Sequence, residues 1–155
     1  MSKKLALFGG DKTFTEKVER YNSIDSSEVH AVKKVVESGI LSQYLGEWDA
    51  DFYGGPKVKE FEENWSDFFN IKHSIAVNSC TSGLIIALGA IGLEPGDEVI
   101  VSPWTMSASA TAILVWNAIP VFADIEGETF NLDPASIEKN ITPYTKAIVV
   151  TNIFG

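Results

Sequence analysis

From residue 74 onward the chain alternates between short, wholly apolar runs and longer runs bounded by turn residues. SIAVNS (74–79), EVIVSP (98–103), IPVFADI (119–125) and KAIVVTNIF (146–154) have strand length and strand composition. Between them Thr81–Ile91 and Thr105–Trp116 read as helices, and Asp133 caps a third that has Pro134 at its first position. Strands that are apolar on successive residues have no face to give to water. Helices between them force the strands to run the same way. The pattern predicts an α/β fold, a mainly parallel sheet flanked by helices on both faces, and it excludes a β-sandwich and a helical bundle.

The first half is less regular. Residues 1–22 show no periodicity and read as an N-terminal arm, leaving 23–155 as the domain. Asp25 with Glu28 three residues on makes a capping box. Val29, Val32 and Val36 follow at helical spacing, and Ser38–Gly39 ends that helix. Residues 39–55, GILSQYLGEWDADFYGG, form a long loop rich in glycine and aromatics. Pro56 opens a second helix whose Val58, Phe61, Trp65 and Phe68 make an apolar stripe, read as core packing. In the helix Thr81–Ile91, Leu84, Ala87, Leu88 and Ile91 fall on one face. Gly92 ends it and Pro95–Gly96 marks a turn.

Composition narrows the function. The chain has 155 residues, 45% of them hydrophobic and 21% charged, and a formal net charge of −9. Such a chain builds a core and repels nucleic-acid backbones, so no nucleic-acid partner is expected. Cys80 is the only cysteine, which rules out an internal disulfide and a cysteine-based zinc site, so no metal is expected. The short apolar run Leu5–Phe8 is no signal-peptide core, and no segment reaches the ~20 apolar residues of a membrane span. The expected location is the cytoplasm.

The loop NSCTSG (78–83), between an apolar run and a helix, suits an anion. The first amides of a helix have no acceptor, and the helix dipole puts partial positive charge there. Small residues let a phosphate reach the backbone, and the hydroxyls of Ser79, Thr81 and Ser82 add donors. A plain N-cap is the alternative reading of the same residues. Neither G-x-G-x-x-G nor G-x-x-x-x-G-K-[ST] is present. Cys80 reads as a small filler, because neither His30 nor His73 lies near it in sequence.

The order of this small-polar loop, GDEVI, SPWT, PVFADI, TKAIVV and FG, together with LALFGG and GGPKVKEFE upstream, resembles the DegT/DnrJ/EryC1/StrS family over nearly the whole chain. These are pyridoxal-phosphate-dependent aminotransferases of nucleotide-sugar and aminocyclitol biosynthesis. The resemblance implies the N-terminal part of the large domain of the fold-type-I pyridoxal-phosphate transferases. It implies Cys80, Thr81 and Ser82 in the turn that cradles the cofactor's phosphate, with Cys80 where Gly or Ala is usual. It implies Met106 at the position that lies against the pyridine ring, where an aromatic is usual and Trp104 is a nearby substitute. Asn152 stands where many members have His.

That chemistry also needs a Schiff-base lysine and a carboxylate on the pyridinium nitrogen. None of this chain's lysines has the family's context, and Asp124 is on the wrong strand. The resemblance places both groups beyond Gly155, so no catalytic residue is expected in this chain and the isolated chain is expected to be inactive. The implied partners are a keto-sugar, an amino donor and a second copy of the chain. Two alternatives stand: a pyridoxal-phosphate-dependent sugar dehydratase of the same family, or a non-catalytic module that binds phosphorylated ligands or a protein partner.

Overall fold

A computed structural model of the chain describes residues 4–41, 43, 44 and 46–154. Ser42 and Leu45 of the long loop, and Gly155, lie outside the described residues. The chain divides into two compact units, Met1–Lys59 and Glu60–Gly155.

In the first unit, helix α1 (Ser26–Glu37) starts where the capping box places it. Asp25 Oδ1 accepts from the Ser27 amide at 2.7 Å, and the Asp25 amide donates to Glu28 Oε2 at 2.8 Å. These amide contacts hold both carboxyls below their ordinary values. Gly39, at φ 71°, ends the helix in the left-handed region. The loop that follows is internally organised. Gln43 Nε2 donates to Asp51 Oδ2 at 3.0 Å, and Trp48 stacks on Phe52 at 4.9 Å. Gly54 is buried under the Tyr44 ring, where a Cβ would sit 2.8 Å from the nearest ring carbon. Helix α2 (Pro56–Phe69) begins at the expected proline.

In the second unit, three strands form a parallel sheet of order β2-β1-β3: β1 (Glu98–Val101), β2 (Ile119–Phe122) and β3 (Thr145–Val149). Helix α3 (Cys80–Ala90) precedes β1. Helix α4 (Ala108–Leu114) joins β1 to β2, and α5 (Pro134–Asn140) joins β2 to β3. Val99, Ile100 and Val101 are all fully buried. Val99 and Val101 pack with Leu88 of α3 and with Ala112 and Ile113 of α4. Ile100 points the other way, onto Ala123 and Leu132 with Ile137 of α5 alongside. The central strand is therefore covered on both faces, as its unbroken apolar run requires. Burial of each such side chain stabilises the fold by roughly 1.5–3 kcal/mol. β2 and β3 are the edges; none of their residues is buried, and two in each are exposed.

Four local expectations differ from the structure. Residues 74–79 form no strand. The Ala76 amide donates to Glu62 Oε1 of α2 at 2.7 Å, so a side chain takes a place that a ladder partner would fill. Ile75 and Val77 remain exposed. Helix α4 is shorter than Thr105–Trp116, because residues 102–107 are held in a loop by side-chain bonds described below. The α2 stripe forms, with Phe61 and Trp65 ring centroids 5.7 Å apart, but Phe61, Trp65 and Phe68 are exposed and not core. On α3 the packed residues are Leu84, Ile85 and Leu88, while Ala87 and Ile91 face water.

Candidate functional site

The hydrogen bonds of the turns fix which ends of the helices share an edge of the sheet. The turn from α3 into β1 and the turn from α4 into β2 are bonded to each other: the Gly96 amide donates to Asn117 O at 3.0 Å, and the Ile119 amide to Asp97 O at 2.8 Å. Both helices thus end at the edge where the strands begin. Their N-termini point to the opposite edge, where the strands end. In open α/β sheets that carboxyl edge is where ligands bind.

At this edge Ser79 caps α3. Its Oγ accepts from the Ser82 amide at 3.1 Å, and its carbonyl accepts from Gly83 at 3.1 Å. Cys80 and Thr81 occupy the first turn, both exposed, with Ser82 half-buried behind them. The Cys80 and Thr81 amides precede the first intrahelical bond and carry the positive end of the helix dipole. The Ser82 amide is used by the cap, and its hydroxyl oxygen accepts from Ser79 Oγ at 3.0 Å. Cys80 is a free, exposed thiol. A Cβ on Gly83 would meet only a Val77 methyl at 3.5 Å, an ordinary contact, so the glycine is not forced by close packing there.

The loops after the three strands are tied to one another at the same edge. After β1, Ser102 Oγ accepts from the Trp104 amide at 3.0 Å. Thr105 Oγ1 lies 3.1 Å from Ser109 Oγ and donates to Thr151 Oγ1, beyond β3, at 3.3 Å. Trp104 packs against Phe130, beyond β2, at 5.6 Å, and Phe130 against Phe154 at 5.8 Å. Met106 follows Trp104 and Thr105 on the same loop with 76% of its surface exposed. Its carbonyl accepts from the Ser109 amide at 3.0 Å. Trp104 is engaged in the aromatic row. Asp124 is tied down locally: its amide donates to Ser136 Oγ of α5 at 2.7 Å, and its Oδ1 accepts from the Ile125 amide at 2.8 Å. Asn152 is exposed beyond β3.

The expected residues Cys80, Thr81, Ser82 and Met106 thus share the carboxyl edge, on adjacent helix starts. The residues that sequence reasoning missed are Thr105, Ser109, Thr151 and Phe130, which hold the loop between them. The hydroxyls of Thr105 and Ser109, four residues apart, were a legible signal; nothing in the sequence marked Phe130.

Lys139 and Lys146 of the second unit lie elsewhere. Lys146, the second residue of β3, pairs with Asp97 at 3.9 Å, at the edge where the strands begin. Lys139 is in the last turn of α5, which leads to that same edge. The carboxyl edge thus carries backbone amides, hydroxyls and a thioether, while Lys139 and Lys146 lie at the opposite edge. Among the described residues no group of three or more His, Cys, Asp or Glu could hold a metal ion, and no helix is long and apolar enough to cross a membrane.

A model of the DegT/DnrJ/EryC1/StrS aminotransferase family matches residues 22–155. The chain is 45% identical over 132 residues to the spore coat polysaccharide biosynthesis protein SpsC of Bacillus subtilis, covering 85% of this chain and 31% of that protein. It is 42% identical over 101 residues to the UDP-2-acetamido-2-deoxy-3-oxo-D-glucuronate aminotransferase of Pseudomonas aeruginosa, covering 65% of this chain and 28% of that one. The fold is similar to the crystal structure of NtdA from Bacillus subtilis with bound cofactor PMP, with a TM-score of 0.73 and 34% identity over 85% of this chain and 29% of that one. The chain spans about a third of the length of the curated relatives it matches.

Proposed function

Because the chain belongs to the DegT/DnrJ/EryC1/StrS aminotransferase family, whose members are pyridoxal-phosphate-dependent, we propose that it serves the transfer of an amino group to a keto-sugar or keto-cyclitol in nucleotide-sugar or aminocyclitol biosynthesis. The relatives' names, a polysaccharide biosynthesis protein and a 3-oxo-sugar aminotransferase, support that substrate class. The observation that carries the reading is the α3 N-terminus at the carboxyl edge of a parallel sheet, the same edge as the loop that bears Met106.

In this reading the amides of Cys80 and Thr81, with the Thr81 hydroxyl, bind the phosphate of the cofactor, and Ser79 and Ser82 keep the first turn in register. The Met106 thioether lies against one ring face, a polarizable contact weaker than an aromatic stack. The cofactor, when bound, supplies the electron sink for amino-group transfer. The residues of this chain anchor and orient it. Lys139 and Lys146 lie at the opposite edge, and in this reading the isolated chain binds the cofactor without bonding to it and transfers no amino group. Neither the dehydratase nor the binding-module alternative is favoured by the relatives. The exposed apolar residues Ile86, Leu114 and Val115 of α3 and the end of α4 support self-association. A clean monomer by light scattering at tens of micromolar would count against that part.

The test uses pyridoxamine 5'-phosphate, which does not react with lysines, titrated calorimetrically into the chain. Binding should be weak, competed by inorganic phosphate, and abolished by Thr81→Asp, which puts a carboxylate where the phosphate sits. Equal binding of pyridoxamine without its phosphate would refute the reading.

A further inference from the structure

The segment leaving β2 doubles back before α5. Ile125 and Leu132 form an antiparallel bridge, the Glu126 amide donates to Asn131 O at 2.9 Å, and the Phe130 amide donates to Glu126 O at 2.9 Å. Thr129 Oγ1 adds a bond to Glu126 Oε2 at 2.7 Å. To close this bend Phe130 adopts φ 61°. The left-handed region strains a bulky side chain, and glycine or asparagine would close the same bend with less strain. Next to it, Asn131 Oδ1 is buried without a hydrogen-bond partner. The bend is thus strained at one residue and unsatisfied at the next. Strain of this kind persists where the surrounding contacts require it.

The contacts that require it are those of the ring. Phe130 lies against Trp104, with a centroid separation of 5.6 Å and an interplanar angle of 36°. It meets Phe154 edge-on at 5.8 Å and 82°. One side chain from the loop after β2 thereby joins the loops after β1 and β3. Beyond its local backbone bonds to Ser102 and Ser109, the Trp104–Met106 stretch is anchored by the Trp104 ring on Phe130 and by the Thr105 hydroxyl on Ser109 and Thr151. The Met106 side chain is largely exposed, so apart from the bond its carbonyl accepts from the Ser109 amide its placement depends on these two neighbours.

We propose that Phe130 is a positioning residue: its ring, held out by the strained bend, fixes Trp104 and through it the placement of Met106. This rests on the reading of Met106 as the residue against the cofactor's ring only in its consequence for binding; the positioning itself concerns the ligand-free chain.

The chain has two methionines, Met1 and Met106, so labelling their methyls with carbon-13 gives two signals. Met106→Leu identifies the second. Phe130→Gly and Phe130→Asn both tolerate the left-handed backbone and remove the ring. In each the Met106 signal should move while the Met1 signal stays. Phe130→Tyr, which keeps the ring, should restore the original Met106 position, a rescue that a purely space-filling role at the bend would not produce at residue 106. Pyridoxamine 5'-phosphate affinity, read from the same signal, should weaken by up to about tenfold in the Gly and Asn variants, the worth of one aromatic contact. An unmoved Met106 signal in both folded variants overturns the proposal, as does failure of Tyr to restore it. If both variants fail to fold, Phe154→Leu decides: it frees the far side of the Phe130 ring with the bend untouched, and an unmoved Met106 there overturns the proposal. A wild-type Met106 signal indifferent to pyridoxamine 5'-phosphate would remove the cofactor reading alone, because the ligand-free spectra settle the role of Phe130.

Discussion

Gly89 sits in the third turn of α3, on the side that faces Trp116 just beyond α4. A Cβ at this position would lie 2.6 Å from Cη2 and 2.9 Å from Cε2 of the indole. No real Cβ tolerates either distance, and the neighbour is a ring, which cannot fold away like the end of a lysine. In Gly89→Ala the indole must retreat, and with it goes the bond that Trp116 Nε1 donates to Ile85 O at 2.9 Å. Overpacking of this kind costs about 1–3 kcal/mol. The lost hydrogen bond costs about 1 kcal/mol more. Against this, alanine is better than glycine in a helix interior by about 1 kcal/mol. The net expectation is a destabilisation of about 1–3 kcal/mol, although the substitution would stabilise an isolated helix. Urea unfolding followed by far-UV circular dichroism measures it as a lowered midpoint at unchanged slope. Trp116→Leu removes the obstacle, so the double variant should lose less than the sum of the two single losses. A Gly89→Ala midpoint at or above the wild-type value would refute the packing argument and mean that α3 and the Trp116 ring are held less tightly than their geometry shows.

Three further outcomes follow from particular contacts. Ser79→Ala should cost about 1 kcal/mol through loss of the α3 cap; Ser79→Asp should keep that stability yet weaken pyridoxamine 5'-phosphate binding through charge repulsion, a split that thermal melts and calorimetry read separately. Ile100→Ala, at the one strand position buried against α5's layer, should lose about 2–5 kcal/mol in urea unfolding, and a loss under half of that would show that this face is loosely packed. The Asp25 and Glu28 carboxyls are held below their ordinary values chiefly by backbone amides, so the unfolded chain binds protons before the folded one as pH falls. Their contribution to α1 is complete above the ordinary carboxylate range and lost as pH drops through the lowered values; Asp25→Asn with Glu28→Gln should flatten the acid limb of α1 amide exchange, and an unchanged limb would contradict the capping-box account.

The parallel sheet was legible because Val99, Ile100 and Val101 leave no polar face, and burial on both sides is the only arrangement that satisfies them. The caps at Asp25, Ser79 and Asp133 were legible because each uses a side chain on an amide two or three residues on, a purely local event. Residues 74–79 misled for the complementary reason. Strand composition describes a segment that could pair, while a strand exists only when another segment supplies the ladder, and here Glu62 supplies a single bond instead. The face of α3 was misplaced because the helix is apolar around its whole circumference, so periodicity carried no information about which side would meet α4.

The carboxyl edge shows the same division between what is local and what is not. Cys80–Ser82 could be read as a helix start from their own residue types. That this start shares an edge of the sheet with the loop of Met106 follows from two backbone bonds, Gly96 to Asn117 and Ile119 to Asp97, that no residue type announces. Phe130 was illegible for a stronger reason: its left-handed backbone contradicts the preference of a phenylalanine. A residue in a conformation that its own chemistry disfavours is held there by contacts distant in sequence, here Trp104 on one side and Phe154 on the other. Sequence reasoning that follows local preference fails at such positions, and at this edge the failure falls on the residue that ties the three strand-end loops together.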